Sequence, residues 1–177
     1  MELFSLKNKI IVITGGCGLL GREHVKAVAS AGGTPIVLDL KQSDIDLFVN
    51  QINKKYNINC AGYSVNITVE KEIISNVKTV IDKYRKIDGL INNAANNPKL
   101  DNNKLVNFSR LENFSIDNWN NDIAVGLTGS FLCSKHYGFE ISKNKNGGTI
   151  LNISSDLGLV GPDQNLYKIK GVENHLQ

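Results

Sequence analysis

The sequence has 177 residues, of which 41% are hydrophobic and 21% are charged, and its formal net charge is +3. These values are typical of an ordinary globular protein, and the length predicts a single domain over residues 1–177. The positive charge is small and dispersed, which argues against nucleic acid as a partner.

Membrane segments and disulfides are not predicted either. No apolar stretch approaches the roughly 20 residues that cross a bilayer, and the N-terminus lacks the apolar core of a secretory signal. Cys17, Cys60 and Cys133 are odd in number and fall in neither disulfide nor metal-ligand spacing. Reduced thiols of this kind indicate a cytoplasmic protein with no membrane partner and no metal site.

A glycine-rich turn near the N-terminus lies between a predicted strand and a predicted helix. The β-branched run Ile10–Ile13 predicts a buried strand, and the turn Thr14–Gly21 follows it. Residues 22–31 are good helix formers, and the apolar run 36–38 ends in Asp39, eighteen positions beyond the last glycine of the turn. Strand, glycine turn, helix, strand and acidic residue are typical of a dinucleotide-binding βαβ unit.

The chemistry of that unit explains its residue types. Glycines let the backbone come close to a pyrophosphate, whose charge lies at the positive end of the helix, and Asp39 can accept hydrogen bonds from ribose hydroxyls. A P-loop would need Gly-Lys-Ser/Thr, and this chain has Gly21-Arg22-Glu23 instead. A methyltransferase with an adenosylated sulfonium cofactor shares the glycine turn and the acidic residue, so the first unit alone leaves that alternative open.

The rest of the chain continues to alternate between strands and helices, which predicts a parallel sheet joined by right-handed crossovers. We expect loops over 96–114 and from Asp156 onward, the latter at an active site. Ser43 and Thr68 are predicted to cap the second and third helices. The remaining predicted elements are strands at 60–65, 87–91 and 149–154, helices with apolar stripes at 45–52 and 73–84, and one long helix over 115–142.

Three motifs then occur in order at strand ends: the glycine turn, Asn92-Asn93-Ala94-Ala95, and Asn152-Ile153-Ser154-Ser155. Together they resemble the short-chain dehydrogenase/reductase family over almost the whole chain. A methyltransferase has no reason to carry the last two motifs. The resemblance implies a Rossmann-type, doubly wound parallel sheet, an NAD cofactor, and hydride transfer between an alcohol and a carbonyl.

The resemblance also implies roles for individual residues. It places Asp39 on the adenosine ribose, Asn66 and Ile67 at the adenine ring, and Ser155 on the substrate oxygen. The family more often has aspartate where Asn66 stands, although an amide can still hydrogen-bond the adenine edge. The residues implied to line the pyrophosphate or to run beside the cofactor are Gly15, Gly18, Leu20, Gly21, Asn93, Ala94 and Ala95. The alternatives are that Asn92 and Asn93 cap exposed strand-end amides and that Ser155 forms a turn.

Two positions depart from the family pattern. Gly126 stands where the family usually has an asparagine that supports a proton relay, so that relay is altered or missing. A branch acting on sugars of surface polysaccharides or flagellin glycans is similar here and in the run from Ser155 to Gly158. The family's proton donor is a tyrosine followed four positions later by a lysine, but Tyr167 is followed at that spacing by Gly171.

Tyr167 is therefore either the acid or a plain surface tyrosine, with the true tyrosine and lysine beyond Gln177. On the second interpretation, the sheet is incomplete at its C-terminal edge. The sequence thus leaves two hypotheses: an NAD-dependent oxidoreductase acting on a hydroxyl or keto group of a small molecule, such as a sugar, or a catalytically silent dinucleotide-binding fragment. The complete family fold implies a homo-oligomer formed through its long helices.

Overall fold

A computed structural model of the chain describes residues 4–96, 111–161, 163, 168, 169, 172 and 173. Five parallel strands form one sheet in the order β3-β2-β1-β4-β5. These strands are β1 (Ile10–Thr14), β2 (Thr34–Asp39), β3 (Ala61–Ser64), β4 (Gly89–Asn92) and β5 (Thr149–Asn152). The strand order reverses between β1 and β4, which is the position where doubly wound sheets bind ligands at their carboxyl ends.

Helices connect the strands and cover both faces of the sheet. They are α1 (Leu19–Ser30), α2 (Gln42–Tyr56), α3 (Glu70–Tyr84), α4 (Ile116–Ile123) and α5 (Ser130–Ser142). A π-helical segment, Ala124–Gly129, joins α4 to α5 without a break. No helix in the described ranges is both long and apolar enough to span a membrane.

The core has two halves, one on each face of the sheet. Because successive residues of a strand point to opposite faces, Val12 packs with α3 and α5 while Ile13 packs with α1 and α2. A buried hydrogen bond of 2.7 Å from the Tyr137 hydroxyl to Asn76 Oδ1 links α5 to α3. The alternation of buried residues on both faces confirms the predicted α/β class.

Several predicted details need correction. The helix α2 begins at Gln42, so Ser43 lies inside it, and its hydroxyl donates to Asp44 instead of capping. The helix α3 follows Val69 as its N-cap, and the Thr68 hydroxyl donates to Asn66 Oδ1. Within the stretch predicted as a loop, residues 97–110 lie outside the described residues and Leu111–Asn113 form a short 3₁₀ turn.

Strand β5 is four residues long and ends at Asn152, two residues before the predicted boundary. In the part of the sheet that the structure describes, β5 is hydrogen-bonded to β4 on one side only. Its residues Ile150 and Leu151 are partly open to solvent, at 38% and 46% exposure. Two short strands, β6 (Lys168–Ile169) and β7 (Val172–Glu173), pair antiparallel with each other in a separate sheet.

Candidate functional site

A cavity of about 430 Å³ opens at the carboxyl ends of β1 to β4, where the strand order reverses. It brings together all of the residues predicted to hold the cofactor: Gly15, Gly18, Leu20, Gly21, Asp39, Asn66, Ile67, Asn93, Ala94 and Ala95. Ser155 is not among the lining residues.

The glycine turn forms one wall of the cavity. Gly15 has a φ of +62°, in the left-handed region that favours glycine. At Gly21, an added Cβ would overlap the carbonyl oxygen of Gly15, so the first turn of α1 can pack here only without a side chain. The N-cap of α1 is Gly18, with no side-chain cap and no acidic residue in the first turn. The positive end of the helix therefore faces the cavity with no acidic residue of its own, and the carboxylate beside it is that of Asp39, which binds the Cys17 N–H.

Arg22 supports the turn from behind. Its Nε donates a hydrogen bond of 2.8 Å to the Cys17 carbonyl, and its guanidinium lies 4.5 Å from the centre of the Phe48 ring. Burial and, to a smaller extent, the charge of Asp39 together raise the pKa of the Cys17 thiol to about 11, so the thiol stays neutral near pH 7. The sequence did not predict that Arg22 supports the glycine turn. Its only signal was the presence of a basic residue directly after Gly21.

Asp39 ends β2 opposite the glycine turn and is half-buried. Its Oδ2 accepts a hydrogen bond of 2.8 Å from the Cys17 N–H, and its Oδ1 accepts one of 2.8 Å from the Leu40 N–H. A carboxylate can accept about four hydrogen bonds, so about two acceptor positions remain. No ion pair to Asp39 occurs among the residues described, and its charge is available to a ligand that donates hydrogen bonds.

Asn66 and Ile67 lie beyond β3, next to Asp39. The Val65 N–H donates 2.9 Å to the Asp39 carbonyl, which fixes the two strand ends together. Asn66 Oδ1 accepts hydrogen bonds from the N–H and the hydroxyl of Thr68, at 3.0 and 2.8 Å. Ile67 is buried beneath the π-helical segment, where a Cβ on Gly129 would come within 2.7 Å of Ile67 Cδ1.

The segment after β4 is tied to the end of β1. Asn93 Nδ2 donates to the carbonyls of Thr14 and Gly15, at 2.9 and 3.1 Å. The N–H groups of Asn93 and Ala94 both donate to Thr14 Oγ1, each at 3.0 Å. The Asn93 side chain therefore binds carbonyl groups at the end of β1, while the N–H groups that the capping alternative concerned are bound by Thr14, and Asn93 also lines the cavity. The positioning role of Thr14 was not predicted.

Asn92 is buried and connects β4 to β5. Its Nδ2 donates to Asn152 Oδ1 at 2.8 Å and to Ser134 Oγ at 3.0 Å. Its Oδ1 is buried with no hydrogen-bond partner in the described part of the chain. The capping interpretation of Asn92 is thus replaced by a cross-link between neighbouring strands and α5.

Ser155 lies three residues beyond β5 and is exposed. Its hydroxyl donates to Asp156 Oδ1 at 3.2 Å and accepts from the Leu157 N–H at 3.2 Å, which is the turn-forming arrangement. Gly126 lies exposed in the π-helical segment with no atom within 4 Å of an added Cβ. Tyr167 and Gly171 lie outside the described residues.

These features fit a dinucleotide. The uncapped helix end suits a pyrophosphate, the free acceptor positions of Asp39 suit ribose hydroxyls, and the glycines leave room for both. The fold is of the Rossmann type, and the cavity lies where such folds bind dinucleotides.

Comparison with known proteins gives the family. A profile of the short chain dehydrogenase family matches residues 9–167. The chain is 28% identical over 156 residues to the uncharacterized oxidoreductase YxjF of Bacillus subtilis, covering 88% of this chain and 56% of that protein. It is 23% identical over 172 residues to the post-translational flagellin modification protein A of Campylobacter coli, covering 97% of this chain and 65% of that protein.

A solved structure of an NAD⁺-bound xylitol dehydrogenase superposes with a TM-score of 0.76 at 22% identity, covering 89% of this chain and 56% of that one. At this identity the likeness supports the fold. The profile match covers most of the chain, so the chain belongs to the short-chain dehydrogenase family of NAD(P)-dependent oxidoreductases. It spans 56% and 65% of the lengths of the two curated relatives.

Proposed function

We propose that the chain binds NAD in this cavity and supplies the cofactor-binding part of an oxidoreductase. The reaction is hydride transfer at a hydroxyl or keto group of a small molecule, and we include sugars in that class because xylitol dehydrogenase is a structural neighbour. The observation that carries the proposal is Asp39, whose carboxylate lines the cavity opposite an uncapped helix N-terminus. When bound, the cofactor supplies the hydride acceptor or donor.

The residues of the chain then bind and orient that cofactor. In this proposal Gly15, Gly18, Leu20 and Gly21 surround the pyrophosphate at the start of α1. Asp39 accepts hydrogen bonds from the adenosine ribose, and the base lies toward β3. The segment 93–95 runs beside the cofactor on the β4 side of the cavity.

The charges near Asp39 favour NAD over NADP. A 2′-phosphate would meet the Asp39 carboxylate, and the two cations that directly follow cavity-lining residues are already engaged. Lys41 Nζ lies 3.2 Å from Asp44 Oδ1, and Arg22 is held between the Cys17 carbonyl and the Phe48 ring. Neither is placed to compensate the repulsion of a phosphate by Asp39.

Titration of the chain with NAD and with NADP tests this preference. We expect NAD to bind more tightly than NADP. Asp39→Ala should reduce the difference between the two dissociation constants, because it removes both the acceptor for the ribose and the repulsion of the 2′-phosphate. Calorimetric dissociation constants provide the measurement. Tighter binding of NADP by the unaltered chain would refute the assignment.

For the chemical step we propose Ser155 as the residue that orients the substrate oxygen and stabilises the charge developing on it. In a form of the protein that turns over substrate, Ser155→Ala should lower kcat on the order of 10²-fold with little change in cofactor affinity. Ser154→Ala is the matched control, and we expect a milder effect because adjacent residues of an extended segment point to opposite sides.

A silent dinucleotide-binding protein is the second candidate. The observation that favours it is the Ser155 hydroxyl, whose hydrogen bonds go to Asp156 and Leu157 within its own turn. Equal turnover in Ser155→Ala would leave the serine as a turn residue. NAD binding without turnover of any hydroxyl or keto compound would favour the silent protein.

We also propose a cytoplasmic homo-oligomer. The free thiols of Cys17, Cys60 and Cys133 support a reducing compartment. The long helix presents large apolar side chains to solvent, which supports association through that helix. They are Ile116, Trp119, Leu127 and Phe131. Light scattering of the purified protein measures the oligomeric state.

A further inference from the structure

At the end of the cavity proposed to hold the base, the side chain of Asn66 offers a hydrogen-bond donor. This inference rests on the proposed function, because it concerns the base of the dinucleotide. The pyrophosphate is assigned to the end of β1 and the ribose to Asp39 at the end of β2. The next strand in that direction is β3, so the base beyond the ribose reaches Asn66, which lines the cavity.

The orientation of the Asn66 amide is fixed by its neighbours. The Thr68 N–H can only donate, and it lies 3.0 Å from Asn66 Oδ1, so the atom facing it must be the carbonyl oxygen. The Thr68 hydroxyl adds a second hydrogen bond to the same oxygen at 2.8 Å. Rotation of the amide by 180° would place an NH₂ group against an N–H group. The carbonyl of Asn66 is therefore committed to the turn.

The main chain around Asn66 is held as well. Its N–H donates 2.7 Å to Glu72 Oε2, and its carbonyl accepts from the Val69 N–H at 3.0 Å. The NH₂ group at Nδ2 is the part of this residue that has no hydrogen-bond acceptor among the described residues. Asn66 thus brings to the cavity wall a donor group that is available to a ligand.

Donors and acceptors distinguish the purines at C6. Adenine carries an amino group there, which donates, next to the ring nitrogen N1, which accepts, whereas a 6-oxopurine carries a carbonyl oxygen, which accepts, next to an N1–H. An aspartate at position 66 would keep one oxygen on Thr68 and offer the other to the adenine amino group. Asparagine in the observed orientation offers a donor instead.

We propose that Asn66 presents its NH₂ group to the base, so that the cavity does not select for an amino group at purine C6. A nicotinamide dinucleotide with a hypoxanthine base then binds about as tightly as NAD, because the NH₂ group can donate to the oxo group of hypoxanthine or to N1 of adenine. Asn66 is in this sense a specificity-determining residue, and its orientation is set by Thr68.

The test compares the two dinucleotides by isothermal calorimetry on the full 177-residue chain. We expect the dissociation constants of the two dinucleotides to agree within about tenfold. Asn66→Asp should change the ratio of the two dissociation constants by about tenfold in favour of NAD. The reason is that the carboxylate accepts from the adenine amino group and repels the oxo group. Asp39→Ala is the control: the ribose is common to both ligands, so both should weaken and the ratio should stay the same.

The outcomes separate this inference from the function on which it rests. If neither dinucleotide binds, the proposed function fails and the inference fails with it. If both bind but the unaltered chain prefers NAD by more than about tenfold, the inference is wrong and the proposed function stands. That comparison needs no variant, so it decides the matter even if Asn66→Asp does not fold. An unchanged ratio in a folded Asn66→Asp chain would also overturn it.

Discussion

Two aspartates lie at opposite ends of the same sheet and differ in what surrounds them. Asp88 precedes β4 at the amino end and is buried, with Oδ2 accepting from the Ile10 N–H at 2.9 Å. Lys9 and Lys86 also bind its carboxylate, at 3.2 and 3.0 Å. Asp39 at the carboxyl end accepts only backbone N–H groups and has no lysine or arginine paired with it within the described chain.

The difference separates a carboxylate that is paired within the fold from one that keeps acceptor positions open at the cavity. Burial raises the pKa of Asp88, but the hydrogen bonds from Ile10, Lys86 and Lys9 outweigh that effect and hold the pKa below its usual range. Its charge is neutralised inside the fold. The charge of Asp39 has no such partner, and its spare acceptor positions point to a ligand that brings donors.

The largest effect should come from the glycine that gives the carboxyl end its shape. Gly21→Ala places a Cβ against the Gly15 carbonyl, and because both groups are backbone the overlap cannot be relieved by a side-chain rotation. We expect a loss on the order of 3 kcal/mol in the free energy of unfolding, together with loss of NAD binding.

Urea unfolding and calorimetry measure the two effects. Gly126→Ala is the matched control, because open space surrounds that position. It should leave NAD binding unchanged and stabilise the chain by up to about 1 kcal/mol through helix propensity. Unaltered stability in Gly21→Ala would contradict the close packing.

Substitutions of the two aspartates should have different effects, one mainly on NAD binding and the other mainly on stability. Asp39→Ala should weaken NAD binding on the order of 10²-fold through lost hydrogen bonds to a charged acceptor, with a smaller effect on unfolding. Asp88→Asn keeps one acceptor for the Ile10 N–H but loses the attraction to two lysines. We expect it to lower the free energy of unfolding by about 1.5 kcal/mol and to leave the dissociation constant of NAD unchanged. If Asp88→Asn weakened NAD binding as strongly as Asp39→Ala, the functional division between the two ends would be wrong.

Lowering the pH should reduce the contribution of Asp88 to the free energy of unfolding. Because its pKa is lowered in the folded protein, its stabilisation is fully present above its unfolded pKa of about 4 and is lost as the pH falls through the folded value. The difference in unfolding free energy between the unaltered chain and Asp88→Asn should therefore shrink below about pH 4. Urea titrations at neutral pH and at successively lower pH follow it. A difference that stayed constant into strong acid would indicate that the carboxylate is not the source.

Periodicity and strand-end residues were sufficient to predict the architecture. The five strands, their alternation with helices and the lining of the cavity follow from apolar runs and from what stands at their ends. Parallel strands place their carboxyl ends at one edge, so residues distant in sequence were correctly predicted to meet there.

Hydrogen bonds that depend on three-dimensional neighbours were not predictable. Ser43 and Thr68 are good capping residues by type, but α2 already begins at Gln42 and the N-cap of α3 is Val69, so neither residue stands at the capping position. The roles of Arg22 and Asp88 depend on Phe48 and on Lys9, Ile10 and Lys86, groups brought together only by packing. The roles of the individual cofactor and substrate residues stay predictions.

The bonds that hold the glycine turn have a consequence for how a ligand would arrive. Asn93 fixes the carbonyls of Thr14 and Gly15 from one side, and Arg22 fixes that of Cys17 from the other. These bonds come from within the fold, so we expect the turn to keep its shape without contacts from a ligand. Preorganisation of this kind lowers the entropic cost of association, because the loop would not have to become ordered when a dinucleotide binds.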